Sequence, residues 1–427
     1  MNIIDKVEID GLLGRTRPVK ISFDEHYNFI IGQNGTGKTT LINLMAAVLL
    51  CDAEKLEKIN FKKVVIKLRN LITAKAATIT VTRTRKDSGP YAKISYQIKD
   101  SGKNVQFEVN ELVDAAYSSH MILRGKNRHW GMNDYYGGIR QSIQELLHVR
   151  WLSIHRANSF SDRDEENRHQ SSVDRKLHEL HRNISIYFGR LSRSYSDQIV
   201  DFQQTSLLSM IRSESGFTLE KFSKEIDADK EKETLGSVFA ALQVSRAKYQ
   251  GMLDRHARDF KKAAEKFEKH AAVGIDELAT IYNGWKAHVL VQEYGELEKK
   301  KTEIFRPRDI FLATVNALLA PRKQLAISSR NELVVKNVET QDEIELEDLS
   351  SGEKQLLIIL GEALLQESAY VVYIADEPEL SLHISWQEKL TESIKSLNAN
   401  AQIVFATHSP DIVNTHGDKV INMEFIS

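Results

Sequence analysis

Short apolar runs and strict alternations dominate roughly the first 110 residues. They predict strands over Ile3–Ile9, Val19–Phe23, Asn28–Ile31, Lys63–Arg69, Thr78–Arg85, Ala92–Ile98 and Val105–Val109. From Ala77 to Arg85 apolar and polar residues alternate, as in a half-exposed strand. Thr40–Leu50 breaks this pattern, being almost wholly apolar and long enough for a buried helix, and Trp151–His155 reads as another core strand. From about residue 157 to about 310 the period becomes helical. Val173, Leu177, Leu180, Ile184, Tyr187 and Leu191 recur at steps of four and three, and Tyr195, Ile199 and Phe202 continue after a shift. That is a heptad-like seam on a helix of about 40 residues, about 60 Å long. A second helical stretch is predicted over Leu235–Lys269, with Phe239, Leu242, Tyr249, Leu253, Phe260 and Phe267, and a third over Asp276–Lys301. After Pro307 the globular pattern returns: strands at Leu333–Val338 and Ile344–Leu346, then a buried helix at Leu356–Leu365. Tyr370–Ala375 and Ile403–Ala406 are short apolar runs of the kind found in central parallel strands.

This organisation predicts an α/β fold in which the two ends form halves of one domain, residues 1–156 and 311–427, around a helical or coiled-coil insertion at 157–310. The prolines agree: there are six, and none lies between 91 and 306, which leaves room for long helices. Net charge is −1, so any basic surface must be local. The single cysteine, Cys51, excludes a disulfide framework and a cysteine zinc cluster, and fits a reducing cytosol. No charged-then-apolar leader and no membrane-length apolar run is read, so a cytoplasmic protein without a membrane partner is expected.

The chemistry is carried by Gly32-Gln33-Asn34-Gly35-Thr36-Gly37-Lys38-Thr39-Thr40, which fits G-x-x-x-x-G-K-[ST] between a predicted strand and a predicted helix. Glycines let backbone N–H groups turn around phosphate oxygens, and the helix N-terminus adds positive potential. Asn34, Gly35, Thr36, Gly37, Lys38, Thr39 and Thr40 are therefore candidate ATP contacts, with Lys38 on the β- and γ-phosphates and Thr39 on Mg²⁺. A second motif ends the 370–375 strand in Asp376-Glu377-Pro378: Asp376 is a candidate Mg²⁺ ligand and Glu377 a candidate general base, the alternative being an acidic strand cap. Leu349-Ser350-Ser351-Gly352-Glu353-Lys354-Gln355 precedes an apolar helix; Ser350 can cap that helix or, with Gly352, meet a γ-phosphate. Thr407-His408-Ser409-Pro410 follows a core strand, and His408 can reach the γ-phosphate and the attacking water.

The order of these four motifs resembles the ABC-type ATPases, and within them the branch containing SMC, RecF and OLD-type proteins. Asp376 to Gln387 is similar to the D-E-P-E-x-x-L-H-P-x-W-Q segment of OLD-like and defence-associated ATPases, with Ile384 standing where that family usually has Pro. The resemblance implies an ABC-type P-loop head, a mixed sheet flanked by helices, that dimerises head to head. Each ATP would lie between the P-loop of one subunit and Ser350 and Gly352 of the other, with Ser381 near the interface. It also implies slow turnover and catalytic roles for Lys38, Glu377 and His408. No Q-loop residue stands out; Gln141, Gln144 and the 153–158 region are open.

Weaker signals remain. Residues 58–86 hold nine Lys or Arg and no Asp or Glu, a candidate face for nucleic acid or an acidic protein, or simply a solvated sheet surface. Arg124–Trp130 mixes charge with stacking groups, Arg156 is a weak phosphate candidate, and His178 and His181 lack a third metal ligand and read as a polar helix face. The chain ends 19 residues after His408, so no TOPRIM nuclease of the OLD type is expected there. The resemblance then points to bacterial antiphage systems of the Septu, retron–Septu and PARIS type. In them such a homodimeric or larger ATPase controls a separate effector, and the resemblance implies a nuclease in that role. A RecF- or SMC-like DNA clamp and a nucleotide-bound scaffold with little turnover are the alternatives.

Overall fold

The computed structural model describes residues 1–85, 92–100, 103–108, 132–152, 171–211, 227–269 and 272–426. They form two compact units, one of residues 1–185 and 307–427, the other of residues 186–306.

The first unit holds three sheets. The largest is antiparallel, in the order β2-β1-β4-β5-β6-β7, from β1 (Asn2–Asp10), β2 (Val19–Ser22), β4 (Lys63–Asn70), β5 (Ala76–Arg85), β6 (Ala92–Asp100) and β7 (Lys103–Glu108). The second is parallel, in the order β14-β3-β13-β12-β8, from β3 (Tyr27–Ile31), β8 (His148–Trp151), β12 (Val371–Asp376), β13 (Ala401–Ala406) and β14 (Val420–Asn422). A small antiparallel sheet joins β9 (Lys323–Ile327), β10 (Leu333–Asn337) and β11 (Glu343–Ile344). Both halves of the chain thus build one parallel sheet, as their apolar runs predict.

Helix α1 (Lys38–Leu50) packs against both larger sheets. Its residues 41 to 49 are all buried, and seven of them, Leu41, Ile42, Leu44, Met45, Ala47, Val48 and Leu49, share one cluster with Val64, Ile66, Ile79 and Val81 of the antiparallel sheet and Val372, Ile374, Val404 and Ala406 of the parallel one. A helix covered on both faces has no polar stripe, which is why Thr40–Leu50 reads as almost wholly apolar. Buried Gln402 fastens the two sheets. Its side chain accepts from Ile4 N and donates to Ile4 O, each at 2.8 Å.

The remaining helices of this unit are α2 (Ala53–Lys58), α3 (Met132–Leu146), α8 (Ser351–Leu364), α9 (Ile384–Leu397) and α10 (Pro410–Val413). Two long helices, α4 (Ser172–Ile211) and α7 (Ile275–Leu319), have residues in each unit. The second unit adds α5 (Ala228–Ala241) and α6 (Arg246–Glu268). Its core is three small clusters, around Phe202, Val238 and Leu297, around Leu235, Tyr249 and Leu253, and around Phe260, Ala263 and Ile281.

Two expectations change here. The stretch 235–269 is two helices, because Gln243 adopts a left-handed φ of 59° and Val244 N bonds back to Phe239 O at 2.9 Å. The third helix does not stop near Lys301 but continues to Leu319 with Pro307 inside it. A proline removes one helical N–H and disfavours the interior, yet a buried face, here Phe311, Val315 and Leu318, outweighs that local cost. Among the described residues no helix is long and apolar enough to cross a membrane.

Candidate active site

Ile30 of β3 pairs with Ala406 of β13, and Ala406 pairs with Asp376 of β12. The residues after these three strands therefore leave the sheet side by side. That carboxyl-end edge is where open parallel sheets bind ligands.

The loop after β3 is shaped by three glycines, Gly32, Gly35 and Gly37, at φ of 151°, 85° and 96°. A Cβ on Gly32 would lie 2.9 Å from Thr36 Oγ1, and one on Gly37 would lie 2.9 Å from Leu13 Cδ1. Such a run of left-handed turns forms an anion-binding concavity, and α1 begins directly behind it. Asn34 and Gly35 are exposed, while Thr36 and Thr40 are half-buried. Lys38 is buried, and its Nζ donates to Gly32 O at 2.7 Å and Gln33 O at 3.1 Å, so the ammonium lies against the loop. Arg15 braces the loop by donating to Thr36 O and Ile426 O, at 3.2 and 3.1 Å.

Thr39 Oγ1 donates to Asp376 Oδ1 at 3.1 Å, across 337 residues of chain. A hydroxyl beside a carboxylate is a hard-oxygen pair, the donor set Mg²⁺ takes when phosphates supply the rest. Glu377 follows in a left-handed conformation, φ 50°, with its N–H on Ala406 O at 2.8 Å. His408 Nε2 is 3.9 Å from Glu377 Oε1, and both side chains are partly exposed. Lys38, Thr39, Asp376, Glu377 and His408 thus share one edge.

Ser350, Gly352 and Ser381 form a second group. Ser350 caps α8 in a reciprocal box: its Oγ accepts from Glu353 N, and Glu353 Oε2 accepts from Ser350 N at 2.8 Å. Burial pushes the Glu353 carboxyl up, but Lys323 at 2.9 Å and the Ser350 donors outweigh it and hold it below the usual range. Gly352 packs on the strained turn at Ser381, φ 70°, where a Cβ would come within 2.3 Å of the Ser381 carbonyl oxygen. Ser350 and Ser381 are both exposed.

Sequence reading missed the residues that tie these parts together. Gln355 Nε2 donates to Pro378 O at 2.7 Å. Glu379 and Gln387 both hold the Thr407–Ser409 turn. Both lie within the quoted D-E-P-E segment, but a motif string carries no partner. Ile384 is the first residue of α9, capped by His383, where Pro or another residue fits equally.

The weaker candidates fare differently. Lys67 pairs with Glu8 at 3.0 Å, Arg69 lies 3.6 Å from Asp5, and Arg83 donates to Glu57 O at 3.1 Å, so part of the basic stretch is engaged within its own sheet and its neighbours. His178 pairs with Glu347 at 2.5 Å, and no three metal-ligating side chains cluster among the described residues. Gln141 bonds Glu145 within its own helix at 3.0 Å. Arg124–Trp130, Arg156 and the 153–158 region lie outside the described residues.

A phosphate loop, a Thr–Asp oxygen pair and a Glu–His pair at one parallel-sheet edge define a P-loop ATPase head of the ABC type. The sequence pattern of the AAA ATPase domain family matches residues 3–413, and the chain belongs to that family. It is 26% identical over 123 residues to the retron Vc95 probable ATPase of Vibrio cholerae serotype O1 biovar El Tor, a match spanning 26% of this chain and 24% of that protein. That relative agrees with the resemblance drawn from the motifs. Among solved structures, the Smc head domain with an extended coiled coil bound to the ScpA C-terminal domain, from Pyrococcus furiosus, is similar at a TM-score of 0.45 and 15% identity, covering 99% of this chain and 93% of that one. The Smc head domain with a coiled coil and joint from Pyrococcus yayanosii gives 0.40 and 16%, covering 99% and 95%.

Proposed function

We propose that this ATPase closes head to head on ATP and, through that closure, controls a separate effector, a nuclease, in antiphage defence. The observation that carries the catalytic part is the Thr39–Asp376 bond with Glu377 and His408 beside it. In this reading the 32–40 loop and Lys38 bind the phosphates of ATP, and Thr39 and Asp376 hold Mg²⁺. The metal supplies charge neutralisation at the phosphates. Glu377 accepts a proton from the attacking water as ATP and water become ADP and phosphate. His408 orients that water or the γ-phosphate. Ser350, Gly352 and Ser381 form an exposed group that meets the phosphate loop of a partner subunit. The effector step rests on likeness to defence ATPases, and the retron-type relative supports it.

The test uses Glu377→Gln, whose turnover is expected to fall at least about a hundredfold with ATP still bound. Wild-type turnover in that variant would remove the base assignment. Native mass spectra of the tagged variant, drawn from its source cells with Mg-ATP, then address the effector. A complex with a nuclease-like polypeptide supports the reading; a bare dimer that retains ATP rejects it in favour of a DNA-clamping ATPase.

A further inference from the structure

Glu379 is buried, 8% exposed, on the turn that follows Glu377. Its Oε1 accepts three hydrogen bonds from one three-residue turn: Thr407 Oγ1 at 2.6 Å, His408 N at 2.9 Å and Ser409 N at 3.3 Å. Its Oε2 is buried without a hydrogen-bond partner. A buried carboxyl group is costly, and a half-used one more so, unless something requires it there. Gln387 supplies a second arm. It accepts from Ser409 Oγ at 2.6 Å and donates to Glu379 O at 3.4 Å and Leu382 O at 2.9 Å. The turn carrying His408 is therefore held from the Glu377 side of the site by side chains, beyond the strand pairing beneath it.

We infer that Glu379 is a positioning residue for His408: it fixes the 407–409 turn so that the imidazole stands beside Glu377, and it acts on the reaction only through that turn. Three donors converging on one oxygen define the turn's position more tightly than one bond does, because the turn cannot shift without breaking several at once. Only the kinetic arm of the test rests on the function proposed above.

Two measurements separate the inference from that function. Amide hydrogen exchange reads the turn directly. In Glu379→Ala the His408 and Ser409 amides should exchange at least about tenfold faster, with β12 amides unchanged. Glu379→Asp keeps the carboxyl group but draws the oxygen back by one methylene, so it should show the same effect and serves if the alanine variant does not fold. Glu379→Gln retains a carbonyl acceptor and should restore most of the protection. Unchanged exchange at 408 and 409 in both the Ala and Asp variants overturns the inference. In steady-state kinetics, Glu379→Ala should lower kcat about tenfold with ATP affinity within twofold, and should cost nothing further in a His408→Ala background. An additive loss there would mean that Glu379 acts independently of His408, which also overturns it. Altered exchange in the variants, with a wild-type protein that hydrolyses no ATP, would instead sink the ATPase reading and leave the positioning intact.

Discussion

Gly352 shows how narrowly single residues are constrained here. The 2.3 Å approach of its hypothetical Cβ to the Ser381 carbonyl leaves no room for any side chain, and the opposing atom is backbone. Gly352→Ala must therefore displace either the start of α8 or the Ser381 turn. Overpacking of this kind costs about 1–3 kcal/mol. The expected result is ATP turnover at least about tenfold lower with nucleotide affinity retained, because the phosphate loop itself is untouched; a loss of affinity in an ATP-binding titration would contradict that. Gly32 and Gly37 are constrained differently: the atoms nearest their hypothetical Cβ belong to side chains, and it is their positive φ, 151° and 96°, that favours glycine.

Among the elements, α8 carries the clearest electrostatic signature. Its cap depends on an ionised Glu353 held by Lys323 and Ser350. The folded-state pKa is held below the ordinary glutamate value, so the unfolded chain binds this proton more readily. The stabilisation is thus complete above the unfolded value and is lost as pH falls through the folded one. Glu353→Gln should cost about 1 kcal/mol at neutral pH, and its stability should decline less steeply than wild type below pH about 4.5. Denaturant melts at pH 7 and pH 4 check both. The base of α4 adds to the anchoring of the same helix: Asp174 pairs with Lys354 at 2.7 Å, Lys176 with Glu362 at 2.7 Å, and Leu180 and Ile184 pack where Gly361 has no side chain.

For the whole molecule, the decisive question is whether the two site groups of one chain serve one nucleotide or two. A head-to-head dimer makes each site from the Lys38 group of one subunit and the Gly352 group of the other. Lys38→Ala would then be inactive alone and Gly352→Ala would keep at most about a tenth of wild-type activity. Mixed one to one, half the dimers would be mixed and would carry one intact site of two, restoring about a quarter of wild-type ATPase activity. Absence of recovery after verified subunit exchange would place both groups in service of the same chain's nucleotide.

What the sequence determined by itself is whatever short-range spacing encodes. The phosphate loop, the apolar strands ending in Asp376 and Ala406, and the capping pattern at Ser350 are legible because periods of two and 3.6 and a few backbone-demanding glycines act within a dozen residues. The continuity of helices was less legible. The break at Gln243 and the passage through Pro307 were settled by tertiary packing, which outweighs propensities of this size. Only the tertiary structure placed β3 between β13 and β14, pinned Ile4 to Gln402 and set Glu379 under His408. Those contacts join residues separated by as many as 398 positions, and no local period records which distant strand a strand will meet. The same holds for charge. Lys67 and Arg69 lie in a run that holds no acidic residue, yet strand pairing and the nearby fold bring Glu8 and Asp5 to them.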